Sequence, residues 1–128
     1  MTDQDRRFIE AARLLYGGDA AERAAIAQDI VWHVPGHNPV SGDYHGFEEF
    51  TQLMPSRMAP LGRWDFTLTH VMVNDNFVMV TLRVQGERKG MTIDMDGGHL
   101  LRMTDDGKVA EGWGFVGDQN ALDAFFQR

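Results

Sequence analysis

Met91-Thr92-Ile93-Asp94-Met95-Asp96-Gly97-Gly98-His99-Leu100-Leu101-Arg102-Met103-Thr104 is the stretch that decides the fold. Its odd positions, Met91, Ile93, Met95, Gly97, His99, Leu101 and Met103, form one row, and its even positions are mostly Thr, Asp, Gly and Arg. Neighbouring side chains of a strand point to opposite faces, so this period of two predicts a strand with one apolar face. Asp105-Asp106-Gly107 supplies a hairpin turn, and Lys108 to Val116 forms the last strand. Upstream, Phe77 to Gly86 is apolar at both alternations, which predicts a central strand covered on both sides. An Asp75-Asn76 turn joins it to Arg63 to Asn74, in which Trp64, Phe66, Leu68, His70 and Met72 share one face.

The first half of the chain reads differently. Asp3 to Tyr16 is predicted to be a helix with Phe8, Ala11, Ala12 and Leu15 on one face, ended by Gly17-Gly18. Asp19 is expected to cap a short helix over Ala20 to Ala27. A strand over Ile30 to Val34 points Ile30, Trp32 and Val34 to one side. Pro35 to Gly46 reads as loop, because its Pro and Gly residues forbid a regular helix. Phe47, Phe50, Leu53 and Met54 recur at helical spacing, with Pro55 stopping or kinking that helix. Asp118 is placed to cap a final helix over Gln119 to Phe126. Helices gathered at one end of an antiparallel sheet make the chain α+β.

A chain of 128 residues fits one domain, 1–128, with enough core to need no staples. It has no Cys, which excludes disulfides and thiolate metal sites. The net charge of −7, with basic residues scattered, argues against a nucleic-acid footprint. The polar start and the lack of a long apolar run predict neither a leader nor a membrane span, hence a cytoplasmic protein.

The block Trp32-His33-Val34-Pro35-Gly36, with Pro39, Ser41-Gly42, Tyr44 and Gly46, resembles the SnoaL-like branch of the nuclear transport factor 2-like, or ketosteroid isomerase-like, superfamily. So does Gly107-Lys108-Val109-Ala110-Glu111-Gly112-Trp113, followed by Asp118 and Phe125-Phe126. The resemblance covers nearly the whole chain. It implies a cone-shaped α+β barrel, a curved antiparallel sheet wrapped around N-terminal helices with an internal pocket. It does not choose a function, since that superfamily holds polyketide cyclases, steroid isomerases, dehydratases, epoxide hydrolases and proteins without catalysis.

Residue by residue the resemblance says more. The general-base carboxylate of ketosteroid isomerase falls at Val34, which cannot take a proton. That enzyme's oxyanion-holding acid falls at His99, and its oxyanion tyrosine belongs on the first helix, where Tyr16 is the candidate. SnoaL-like cyclases move protons with an aspartate near the end of the last strand and a nearby histidine, which Asp118 and His99 match. The catalytic set implied is therefore His99, Asp118 and Tyr16.

The pocket wall expected from the faces and the resemblance contains Trp32, Val34, Phe50, Met54, Met58 and Trp64. On the later strands it contains Met95, Leu101, Trp113 and Phe115, with His37 at the mouth. These aromatic and Met residues read either as cavity lining or as ordinary core. Gly112 and Gly114 leave out side chains where a strand normally fills its core, making room for a ligand or a close backbone. His33, His37 and His45 do not converge as zinc ligands would, so no metal and no cofactor is predicted. The functional expectation is a pocket for a small hydrophobic molecule, with cofactor-free acid–base catalysis of the cyclase, isomerase or dehydratase type. The alternative is a non-catalytic binding or dimerisation domain, and epoxide hydrolysis ranks last for want of an inward Arg-Asp pair. The two-sided apolar strand predicts a homodimer packed through the outer sheet face.

Overall fold

A computed structural model describes residues 1–127. Helix α1, Asp3–Leu15, starts at a capping box: the Thr2 hydroxyl accepts from the Asp5 amide while the Asp5 carboxylate accepts from the Thr2 amide. It buries Phe8, Ala11, Ala12 and Leu15, the face the spacing predicts. Helix α2, Asp19–Ala25, begins one residue before the sequence reading, with Gly18 rather than Asp19 as its cap. Gly18 carries φ 100°, a conformation that glycine takes without strain.

The sheet has six strands: β1 Ile26–Val34, β2 Gly42–His45, β3 Arg63–Asn74, β4 Phe77–Arg88, β5 Met91–Met103 and β6 Val109–Val116. Their order across the sheet is β2-β1-β6-β5-β4-β3. The last four strands form the expected antiparallel run, but β1 pairs β6 in parallel, so the curved sheet is mixed. The concave face carries Val78, Val80, Leu101 and Met103 against α1 in one core with Ile30, Trp32 and Tyr44. The α+β reading and the cone of helices and curved sheet hold.

Several local expectations are corrected. The Pro35–Gly46 loop contains β2, which pairs antiparallel with β1 and sinks Tyr44 completely. The third helix does not stop at Pro55. A π-helical turn over Glu49–Leu53 leads into α3, Met54–Met58, and a short 3₁₀ turn over Ala59–Leu61. Pro55 sits in the first turn of α3, where its missing N–H breaks little. In β3 the pairing slips between Leu68 and His70, leaving Thr69 as an extra residue. Beyond that bulge Val71 and Val73 turn toward the core, while His70 and Met72 turn out to solvent.

Two glycines are seats for tryptophan rings. A Cβ on Gly112 would stand 2.2 Å from the Trp32 ring, and one on Gly86 would stand 2.5 Å from the Trp64 ring. Trp32 and Gly112 are direct partners across the parallel β1–β6 pair, so the indole lies on the neighbouring backbone. Gly114 is different: a Cβ there would meet Pro35 at 3.3 Å, the Cδ2 of His99 at 3.4 Å and the His33 carbonyl oxygen at 3.7 Å, with none as close as the Trp32 ring is to Gly112. Of the two uses expected for these glycines, Gly112 serves close packing and Gly114 leaves space.

Gly112→Ala should therefore destabilise the domain by about 1–3 kcal/mol, because the Trp32 ring must move. Gly114→Ala should cost less than half as much. Urea unfolding of the two variants checks the order, and equal losses would contradict the seating of Trp32.

Candidate functional site

A cavity of about 680 Å³ opens between the concave sheet face and the helices. Tyr16, at the end of α1, and Trp32 on β1 contribute to its wall. Phe50, Met54 and Met58 come from the π–α3 segment, Trp64 from β3, and His99 from β5. Leu122 and Phe126 of helix α4, Gln119–Gln127, complete it. The sequence predicts Trp32, Val34, Phe50, Met54, Met58 and Trp64 here, and all six are lining residues.

Of the other predicted wall residues Phe115 also lines the cavity, and three are placed otherwise. Leu101 is fully buried in the core below the cavity, and Met95 lies outside the lining. Trp113 stacks on His33, with ring centroids 5.4 Å apart, away from the wall. Phe115 borders the cavity, but its ring lies over Gly98 and is 42% exposed. On β6 the inward positions after the bulge at Arg102/Met103 are Gly112 and Gly114, so their bulky neighbours Trp113 and Phe115 face out. His37 is exposed and outside the lining. Its amide donates to Asp123, as does the Asn38 side-chain amide, and so Asn38 is held at the cavity instead.

The polar centre is a pair. The Tyr16 hydroxyl and His99 Nδ1 are 2.6 Å apart, and the two rings are nearly parallel. Trp32 meets His99 edge-on at 4.7 Å and Phe50 at 4.9 Å. Burial lowers the His99 pKa to about 4, so the ring is neutral at neutral pH. Burial also pushes the Tyr16 hydroxyl far above its ordinary value, so it keeps its proton. Among the described residues no protein group bonds His99 Nε2, and that atom is not sealed, so it opens to the cavity.

Asp118 does not meet His99. It is exposed, and its carboxylate accepts from the Ala121 amide as the cap of α4. The expected carboxylate–histidine arrangement is thus replaced by a tyrosine–histidine one. A different carboxylate, which the sequence reading passed over, reaches the wall: Glu22 of α2. Burial, and then repulsion from Asp19, raises its pKa. Its only sequence signal is its place one turn after Gly18, and that does not show which way it points. No Lys or Arg is among the described lining residues.

On the outer face, His33 is held by Asp43 Oδ1 and Glu111 Oε2, each at 2.7 Å, and Arg102 braces Glu111. Burial works against charge on His33, but the bonds to Glu111 and Asp43 outweigh it and raise the pKa.

Residues 6–112 match the model of the SnoaL-like domain. The chain belongs to the SnoaL-like domain family. Its fold is that of nuclear transport factor 2-like and ketosteroid isomerase-like proteins. A protein of unknown function with a cystatin-like fold from Xanthomonas campestris is 28% identical, covers 94% of this chain and 98% of its own, and superposes with a TM-score of 0.81. TerC, crystallised with polyporic acid, is 17% identical over 95% of this SnoaL-like chain and 99% of its own, with a TM-score of 0.85. A candidate SnoaL-like polyketide cyclase from Jannaschia Sp. CCS1 is 16% identical over 100% and 97%, with a TM-score of 0.78. Among proteins of curated function no significant sequence match is found.

Two of the five histidines of this SnoaL-like domain, His99 and His33, pull stability in opposite directions with pH. His99 has a folded pKa near 4 against 6.5 unfolded, so between those values the unfolded chain binds more protons and stability falls as pH drops. His33 has a raised pKa, so its contribution is full below about 6.5 and is lost as pH rises through the raised value. The His33 effect is small, since the group is partly solvated. Thermal unfolding across pH should show His99→Gln flattening the acid limb and His33→Gln flattening the alkaline one. A steeper acid limb in His99→Gln would contradict the burial of that ring.

Proposed function

We propose that this domain binds a small, largely apolar molecule bearing a carbonyl oxygen, and moves a proton on it without a cofactor. The observation that carries the reading is the 2.6 Å Tyr16–His99 bond in the wall of an aromatic and Met-lined cavity. Two proton arrangements satisfy that bond. In one, Tyr16 donates to Nδ1 and Nε2–H points a donor at the ligand. In the other, Nδ1–H donates to the Tyr16 oxygen, Tyr16 donates to the ligand, and Nε2 is a free base.

Passing from the second arrangement to the first takes a proton from the ligand at Nε2 and returns one to its oxygen from Tyr16. No net charge forms in the pair, which suits a poorly solvated site. That exchange is keto–enol chemistry, the step shared by isomerisation, aldol cyclisation and dehydration. The polyporic acid in TerC and the cyclase assignment of the Jannaschia protein are in keeping with an oxygenated organic ligand.

The low basicity of His99 favours a second reading, a pocket that binds without turnover. Solvent deuterium exchange at the carbon beside the carbonyl of a bound hydrophobic ketone separates the two. Tyr16→Phe should leave ketone affinity within several-fold but lower exchange by roughly 10²–10⁴. Equal exchange by wild type and Tyr16→Phe would leave the binding reading ahead. Gly114→Val, which fills the space beside His99, should abolish ketone binding.

We propose that the outer sheet face packs against a second copy. Met72 is 57%, Phe77 39% and Phe115 42% exposed, large apolar side chains left to solvent. The interface should bury more than about 1,000 Å² in total, and sedimentation at micromolar concentration should show a dimer. A monomer would overturn this assembly.

A further inference from the structure

Resting on the pocket reading above, we infer that the natural ligand carries a protonated amine, held between the Glu22 carboxylate and the aromatic wall of the cavity. Glu22 is half-buried in the lining, and no side chain bonds or pairs with it among the described residues. The neighbouring Arg23 lies over the Phe47 ring instead. Every charged side chain in the described lining other than histidine is acidic, namely Glu22 and the exposed Asp19.

A carboxylate drawn partly out of water is costly unless a cation offsets it, and the one cation that acts on Glu22, Arg23, does so only through space without a close ion pair. The other polar groups of the cavity do not offset that charge. The His33 ring, which also borders the cavity, is taken up by Asp43 and Glu111. Tyr16 is tied to His99, and His99, deeply buried, presents an uncharged Nε2 with no protein partner into the same space. The rest of the wall is rich in aromatic rings, Trp32, Phe50 and Trp64 among them. Ring faces attract cations and do nothing for anions. A cleft lined by one sign of charge with low-dielectric walls concentrates the opposite sign. Carboxylates and phosphates are therefore disfavoured, and an ammonium group has both a counter-ion and rings to rest on.

Isothermal titration with three probes tests this: benzyltrimethylammonium, its neutral carbon isostere neopentylbenzene, and phenylacetate. Wild type should bind the cation about tenfold more tightly than the isostere, and phenylacetate more weakly than either. Glu22→Gln should erase the cation's advantage, while Asp19→Asn, at an exposed position, should keep most of it. Glu22→Ala provides a second removal of the charge if the Gln variant unfolds early. Equal affinity of cation and isostere, or an unchanged ratio in both Glu22 variants, overturns the amine inference and leaves the pocket reading standing. Failure of all three probes to bind wild type overturns the pocket reading as well.

Discussion

Trp32 has to lie flat on the strand beside it, and it can only because residue 112 has no side chain. That contact is made across the one parallel pair of the sheet, where β1 joins β6. It brings the N-terminal half of the chain against the long hairpins of the second half. The same indole is the surface on which Phe50 and His99 rest. The ring thus sets the position of the π–α3 segment on one side and of the titratable centre on the other. A larger residue at 112 would lift the ring, and the cavity wall would lose its reference.

The chemistry of the site follows from burial more than from charge. A carboxylate beside a histidine raises its pKa, as at His33 on the outer face. His99 has only a tyrosine hydroxyl, and the same burial that depresses its basicity keeps the phenol protonated. Both members are neutral, and each can donate or accept. Such a pair suits a ligand oxygen that gains and loses a proton, and suits poorly a reaction that must hold a full negative charge.

Much of this was legible in the sequence because it rests on period-two alternation. The row from Met91 to Met103 placed His99 on the inner face, and Ile30 with Trp32 gave the inward side of β1. Three features were not legible, each for a physical reason. β2 is four residues long with one core side chain, Tyr44, too short to show alternation among Pro and Gly. The extra residue at Thr69 reverses the faces of β3 beyond it, and no residue type marks a bulge of that kind. The partner of His99 lies 83 residues away in the chain, so spacing carries no trace of it. Asp118 looked equally suited, yet its carboxylate is already taken up by the Ala121 amide at the start of α4. The outward turn of Trp113 had a signal in the alternating Gly112 and Gly114: a strand that omits side chains on one face puts its bulk on the other.

That division separates the packing of this SnoaL-like scaffold from the side chains that line its cavity. The wall is fixed by packing, with Trp32 on Gly112 and α4 tied to the 35–41 loop through Asp123. A Cβ at Gly36 would collide with Gln119 and Asp123, so the loop approaches α4 as closely as backbone allows. The positions proposed to act on a ligand sit on this frame without supporting it. Val34 stands where the ketosteroid isomerase resemblance places a carboxylate, and the strand that carries it is intact. Glu22 enters from a helix of seven residues that contributes only Ala25 to the buried set. Exchanging such side chains alters charge and proton affinity in the cavity while leaving the Trp32 contact untouched, so the chemistry of this fold can change without its core being rebuilt.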